Sequence, residues 1–69
     1  MIVSDFTKPE LDFFRDNCNF VNDEVAVFEL RSRGIGLEEI AERLDLTYDG
    51  IKRISRKVNR KITVVLDYK

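Results

Sequence analysis

The chain has 69 residues, 43% of them hydrophobic and 36% charged, with a net charge of −1. That length suits one compact unit with a small core, and the composition excludes both the acidic, aromatic-poor disordered class and a membrane class. A lone cysteine, Cys18, rules out an internal disulfide and reads as a small buried apolar side chain; with no histidine there is no plausible transition-metal set, so no cofactor is expected. The longest apolar run, residues 62 to 66 with Thr63 inside it, is far too short to span a membrane. No charged-then-apolar signal peptide opens the sequence, and the protein is expected in the cytoplasm.

Taken in chain order, the first helix signal is Thr7-Lys8-Pro9-Glu10. Thr7 can cap, Pro9 sits harmlessly in the first turn, and Glu10 can return to the cap's amide. Phe6 and Leu11 flank this box as a hydrophobic staple, and Leu11, Phe14 and Cys18 recur at helical spacing, which predicts a helix over about 8–17. A second helix is expected over 22–33, with Asp23 and Glu24 at its positive end, Arg31 and Arg33 at its negative end, and Gly34 as its stop. Val25, Ala26, Val27, Phe28 and Leu30 cover most of its circumference, so it should be the central element, packed on two sides.

The third helix, 37–44, places Leu37, Ile40, Ala41 and Leu44 at i, i+3, i+4 and i+7, with Glu38, Glu39, Glu42 and Arg43 outside. Asp45-Leu46-Thr47 interrupts it: Asp45 tolerates a left-handed backbone, Leu46 can anchor the turn, and Thr47 can cap the next helix. That fourth helix, 48–61, turns Ile51, Ile54, Val58 and Ile62 to one side and Asp49, Arg53, Arg56 and Arg60 to the other, with Lys52 and Lys57 on the shoulders. Residues 63 to 68 combine strand formers with a spacing at Ile62, Val65 and Leu66 that could extend the helix. An extended segment is the favoured reading, pairing with Ile2 and Val3 or with the same segment of a second chain. The expected fold is therefore all-α, a small four-helix domain with a short C-terminal strand.

Net charge hides a dipole. Residues 1 to 50 hold five Lys or Arg against twelve Asp or Glu, whereas residues 51 to 61 hold six basic residues and no acid. Such asymmetry points to a polyanionic or acidic partner on one face. A basic helix face is usually just solvated, but here its apolar face, its turn and its partner helix fit a helix-turn-helix over 37–57. A small Ala41 lets the helices cross closely, and the outer face of the second helix stands free to enter a major groove. An enzyme finds no support: there is no histidine, no reactive-cysteine setting and no glycine-rich phosphate loop.

From Phe20 to Ile62 the sequence also resembles the DNA-binding domain of LuxR-type (GerE-like) regulators and the similar region 4 of bacterial sigma factors. The resembling residues are Glu24 and Val27-Phe28, Gly34, Leu37 through Leu44, Leu46-Thr47, Ile51-Lys52, Arg56-Lys57-Val58 and Arg60-Lys61-Ile62. The chain departs from the family pattern at Val21, where a capping Thr or Ser is usual, at Asp45, where Gly is usual, and at Gly50, where a hydroxyl residue is usual. Gly50 is open to two readings, a tolerated glycine or a close backbone approach to DNA.

The resemblance implies sequence-specific binding of double-stranded DNA by a small stand-alone transcriptional regulator or sigma region 4-like protein, bacterial or phage, with the helix from Tyr48 in the major groove. On this reading Tyr48, Asp49, Lys52 and Arg53 meet base edges, and Thr47, Arg56, Lys57, Arg60 and Arg43 hold phosphates. The alternative is a protein-interaction module, binding RNA polymerase or another acidic partner through the basic fourth helix. One recognition helix reads only a few base pairs, so tight binding is expected to need a homodimer. Residues 63 to 69 are too few for the extra dimerisation helix of many LuxR-type domains, which leaves the tail or the first helix for that role.

Overall fold

The computed structural model describes residues 3 to 67, and all the regular structure among them is helical. A 3-10 turn at Val3–Asp5 is followed by α1 (Lys8–Asn17), α2 (Asp23–Ser32), α3 (Leu37–Arg43) and α4 (Tyr48–Asp67). The four expected helices are present, and only the end of α4 lies far from its expected position. No described helix is long and apolar enough to cross a membrane.

Local chemistry accounts for most of the boundaries. The Thr7 amide donates to Glu10 Oε1 at 2.8 Å and the Glu10 amide donates to Thr7 Oγ1 at 3.5 Å, which closes the expected capping box around Pro9. Phe6 then meets Phe14 edge-on, ring centroids 4.8 Å apart. At the start of α2, Asn22 takes a positive φ of 53° and makes no side-chain cap. The cap comes from its neighbours instead: the Val21 amide donates to Glu24 Oε1 at 3.2 Å and the Glu24 amide to the Val21 carbonyl at 3.0 Å. Gly34, at φ 83°, turns the chain out of α2 as expected.

The packing is built around α2, which touches the 3-10 turn, α3 and α4; α4 in turn touches α1. Val27 and Phe28 of α2 are fully buried with Ile40 of α3 and with Ile51, Val58 and Ile62 of α4, while Val3 and Phe14 close one end. Val25 does not join them. It is 46% exposed, so α2 buries a narrower arc than its apolar sequence implies. Cys18 is buried among these side chains, and its thiol is pushed up by burial despite the opposing pull of Lys61.

The expected C-terminal strand is not seen among the described residues, and α4 continues instead through Thr63 to Asp67. Ile62 is fully buried and Val65 and Leu66 pack against the core, so spacing at i, i+3 and i+4 overrides the strand preference of Thr63 and Val64. The expected partner position Val3 lies in the 3-10 turn, and Ile2 and Tyr68 are outside the described residues. At 20 residues α4 is about 30 Å long, against a longest molecular dimension of 34 Å.

Candidate nucleic-acid interface

Four residues join α3 to α4. Asp45 adopts φ 56°, the left-handed conformation expected of it, and the Leu46 amide donates to the Ala41 carbonyl at 2.9 Å. Leu46 packs partly against the core and Ala41 is buried where α3 meets α4. Thr47 Oγ1 accepts from the Gly50 amide at 3.0 Å and so caps α4. A Cβ on Gly50 would lie 3.1 Å from that same hydroxyl, which supplies a reason for glycine inside the protein itself.

With Ile51 and Val58 buried, the opposite side of α4 stands in solvent. Thr47, Tyr48, Asp49, Lys52, Arg53, Arg56, Lys57 and Arg60 are all exposed. Asp49, Lys52, Arg53 and Arg56 share a shallow depression of about 170 Å³. Lys52 Nζ stands 5.6 Å from the centre of the Tyr48 ring, a cation–π distance that holds both side chains at the start of the helix. Lys57 lies apart from this group, in a cleft with Ile54 and the first residues of α2, and Arg60 borders a groove formed with Asn17, Cys18, Asn19 and Val64. From Tyr48 to Arg60 is about 18 Å along the axis, enough to cross a B-form major groove about 12 Å wide and reach its flanks.

Ion pairing engages some basic side chains and leaves others, Lys8, Arg31 and Arg33 as well as those of α4, without a carboxylate within 4.0 Å among the described residues. Arg15 is bound by Asp12 and Glu29, Arg43 lies 3.5 Å from Glu39, and Lys61 is bound by Glu24. Among the described residues, Lys52, Arg53, Arg56, Lys57 and Arg60 have no carboxylate within 4.0 Å. Five cations of one helix thus make no ion pair in a chain holding thirteen acids, though Lys57 still acts at longer range on the Glu24 carboxylate. Arg43, expected on phosphate, is exposed and lies near Glu39 on a helix whose exposed side also carries Glu38 and Glu42.

Lys61 reads in the sequence as one more member of the basic run, and the structure gives it a different role. Its Nζ donates to Glu24 Oε1 at 2.5 Å and to the Asn19 carbonyl at 2.6 Å, clamping the lower half of α4 to the start of α2. The Glu24 carboxyl is held below its ordinary value by the Lys61 hydrogen bond, against the opposing effect of burial, with help from the Val21 amide. The signal available in the sequence is angular: on a helical wheel Lys61 falls beside the apolar edge, away from Arg53, Arg56 and Arg60.

No family model, curated protein or solved structure matches the chain in comparisons with known proteins.

Proposed function

We propose that the chain binds double-stranded DNA sequence-specifically, with α3, the turn and α4 acting as a helix-turn-helix and the first half of α4 seated in the major groove. The observation that supports this best is the set of five cations without an ion pair on the exposed part of α4, with Arg53, Arg56 and Arg60 opposite its buried side and Lys52 and Lys57 on the shoulders. Side chains not tied into an ion pair remain available to a polyanion. Tyr48, Asp49, Lys52 and Arg53 stand where base edges would come, and Thr47, Arg56, Lys57 and Arg60 where phosphates would flank them. A role in transcriptional regulation follows from sequence-specific binding and from the resemblance to LuxR-type and sigma region 4 domains.

Titration against mixed-sequence duplex at several salt concentrations tests the reading. Three phosphate-bound cations, or four if Arg43 leaves Glu39, give a log–log salt slope of about −2.7 to −3.6. Affinity should then fall roughly 40- to 150-fold between 50 and 200 mM salt. Undetectable binding, or binding indifferent to salt, would sink the proposal. If an acidic protein such as a surface of RNA polymerase uses this face instead, duplex DNA will fail to compete with it.

A further inference from the structure

Asp49 is the single acid in residues 46 to 66 and stands in the middle of the basic surface. It is exposed, lies in the first turn of α4, and shares the shallow depression with Lys52, Arg53 and Arg56. Lys52 and Arg53 follow it by three and four residues, the spacings at which helical ion pairs form. Neither pairs with it among the described residues, and Lys52 is placed over the Tyr48 ring instead. A carboxylate left unpaired on the surface that would meet a polyanion weakens attraction to every sequence that gives it no partner.

We propose that Asp49 is the specificity-determining residue of this surface, admitting DNA that presents a base amino group to it and penalising DNA that does not. The inference rests on the DNA-binding reading above. An ionised carboxylate only accepts hydrogen bonds, and in the major groove only cytosine N4 and adenine N6 donate them. Guanine N7 and O6 and thymine O4 are acceptors, and they repel it. Arg53 and Lys52 have the opposite requirement, guanine being their best partner. One G·C pair satisfies both: its cytosine donates to Asp49 while its guanine accepts from the cation one helical turn away. The preferred site should therefore contain a G·C pair in a defined orientation beneath the first turn of α4. Where the pair is wrong, repulsion by a phosphate about 6 Å away costs roughly threefold in affinity in water-like surroundings, and more as water is expelled. Selectivity of this kind works as much by rejecting wrong sequences as by holding the right one.

The test selects bound sequences from random duplex with the full chain and with D49A and D49N, then measures Kd for the best site and for a scrambled duplex at one salt concentration. Circular dichroism confirms that each variant is folded. The unaltered chain is expected to enrich cytosine at one position. D49A should bind scrambled DNA roughly 3- to 10-fold more tightly and lose at least about tenfold in the ratio of best to scrambled affinity. D49N, close in shape but able to donate as well as accept, should shift the enriched base from cytosine to adenine. If both variants keep the same enriched base and the same ratio, with only a lower Tm, Asp49 merely stabilises the helix N-terminus and the proposal is overturned. Failure of the unaltered chain to bind any duplex overturns the DNA-binding reading itself, and the two failures are thereby distinguished.

Discussion

Replacing Lys61 with methionine should destabilise the fold by about 1–2 kcal/mol at neutral pH. The magnitude follows from where the pair sits: the Lys61 side chain is 32% exposed and that of Glu24 10%, between two limits. Fully exposed pairs contribute about 0–1 kcal/mol, whereas removing one partner of a fully buried pair costs about 3–5 kcal/mol. Methionine retains most of the aliphatic length, so the loss is chiefly that of the two hydrogen bonds to Glu24 and the Asn19 carbonyl. In a domain of this size the melting temperature should fall by roughly 4–16 °C, read by far-ultraviolet circular dichroism.

The pH dependence has a definite sign. Because Lys61 and the Val21 amide lower the folded-state pKa of Glu24, the unfolded chain takes up the proton first as pH drops. The contribution is complete above the ordinary glutamate value near about 4.3 and is lost as pH falls through the lowered folded value. The stability gap between the wild type and K61M should be constant from about pH 8 to 5.5 and narrow below about pH 4. A double-mutant cycle with Glu24→Gln should give a coupling of at least about 0.5 kcal/mol. Equal stabilities at pH 7, or a gap that persists unchanged to about pH 3, would refute the clamp.

Two further outcomes are expected. Arg53→Ala should lose about 1–3 kcal/mol on a selected site and relax base preference, whereas Arg60→Ala should weaken all duplexes alike and reduce the salt slope by about 1. Uniform, sequence-independent losses from both would show that no such division exists. Gly34→Ala should cost about 1–2 kcal/mol in urea denaturation, because φ is +83° and open space around the new Cβ leaves backbone strain as the sole source. Gly34→Asn should recover part of this, since asparagine enters the left-handed region more readily; if it does no better than alanine, strain is the wrong cause.

Features governed by neighbours in sequence were legible before the structure. The Thr7–Glu10 box, the stop at Gly34, the left-handed Asp45 and the Thr47 cap each depend on two to four consecutive residues. Features governed by distant contacts were not. Glu24 and Lys61 are 37 positions apart, and nothing near either residue announces the other. Val64 and its neighbours read as strand because β-branching is a local property, while the burial of Ile62 and the packing of Val65 and Leu66 are tertiary. Val25 reads as core by composition and stands exposed because the other helices cover a different side of α2. Of the candidate surface, charge and periodicity gave the exposed face of α4; the pairing of Arg43 with Glu39 and the isolation of Asp49 required coordinates.

The length of α4 turns small movements at one end into large ones at the other. Lys61 lies 13 residues beyond Tyr48, about 20 Å along an unbroken axis. A tilt of roughly 5° about the Glu24 contact would sweep Tyr48 and Asp49 through about 1.7 Å, more than the roughly 0.5 Å within which a recognition constellation must be held. The helix is a lever gripped at its base by an ion pair, so the aim of its tip is set jointly by the buried Ile51 close to the tip and by a contact far from it. Substitutions at Glu24 or Lys61 should therefore blur discrimination between duplexes even where the exposed surface of α4 is unaltered.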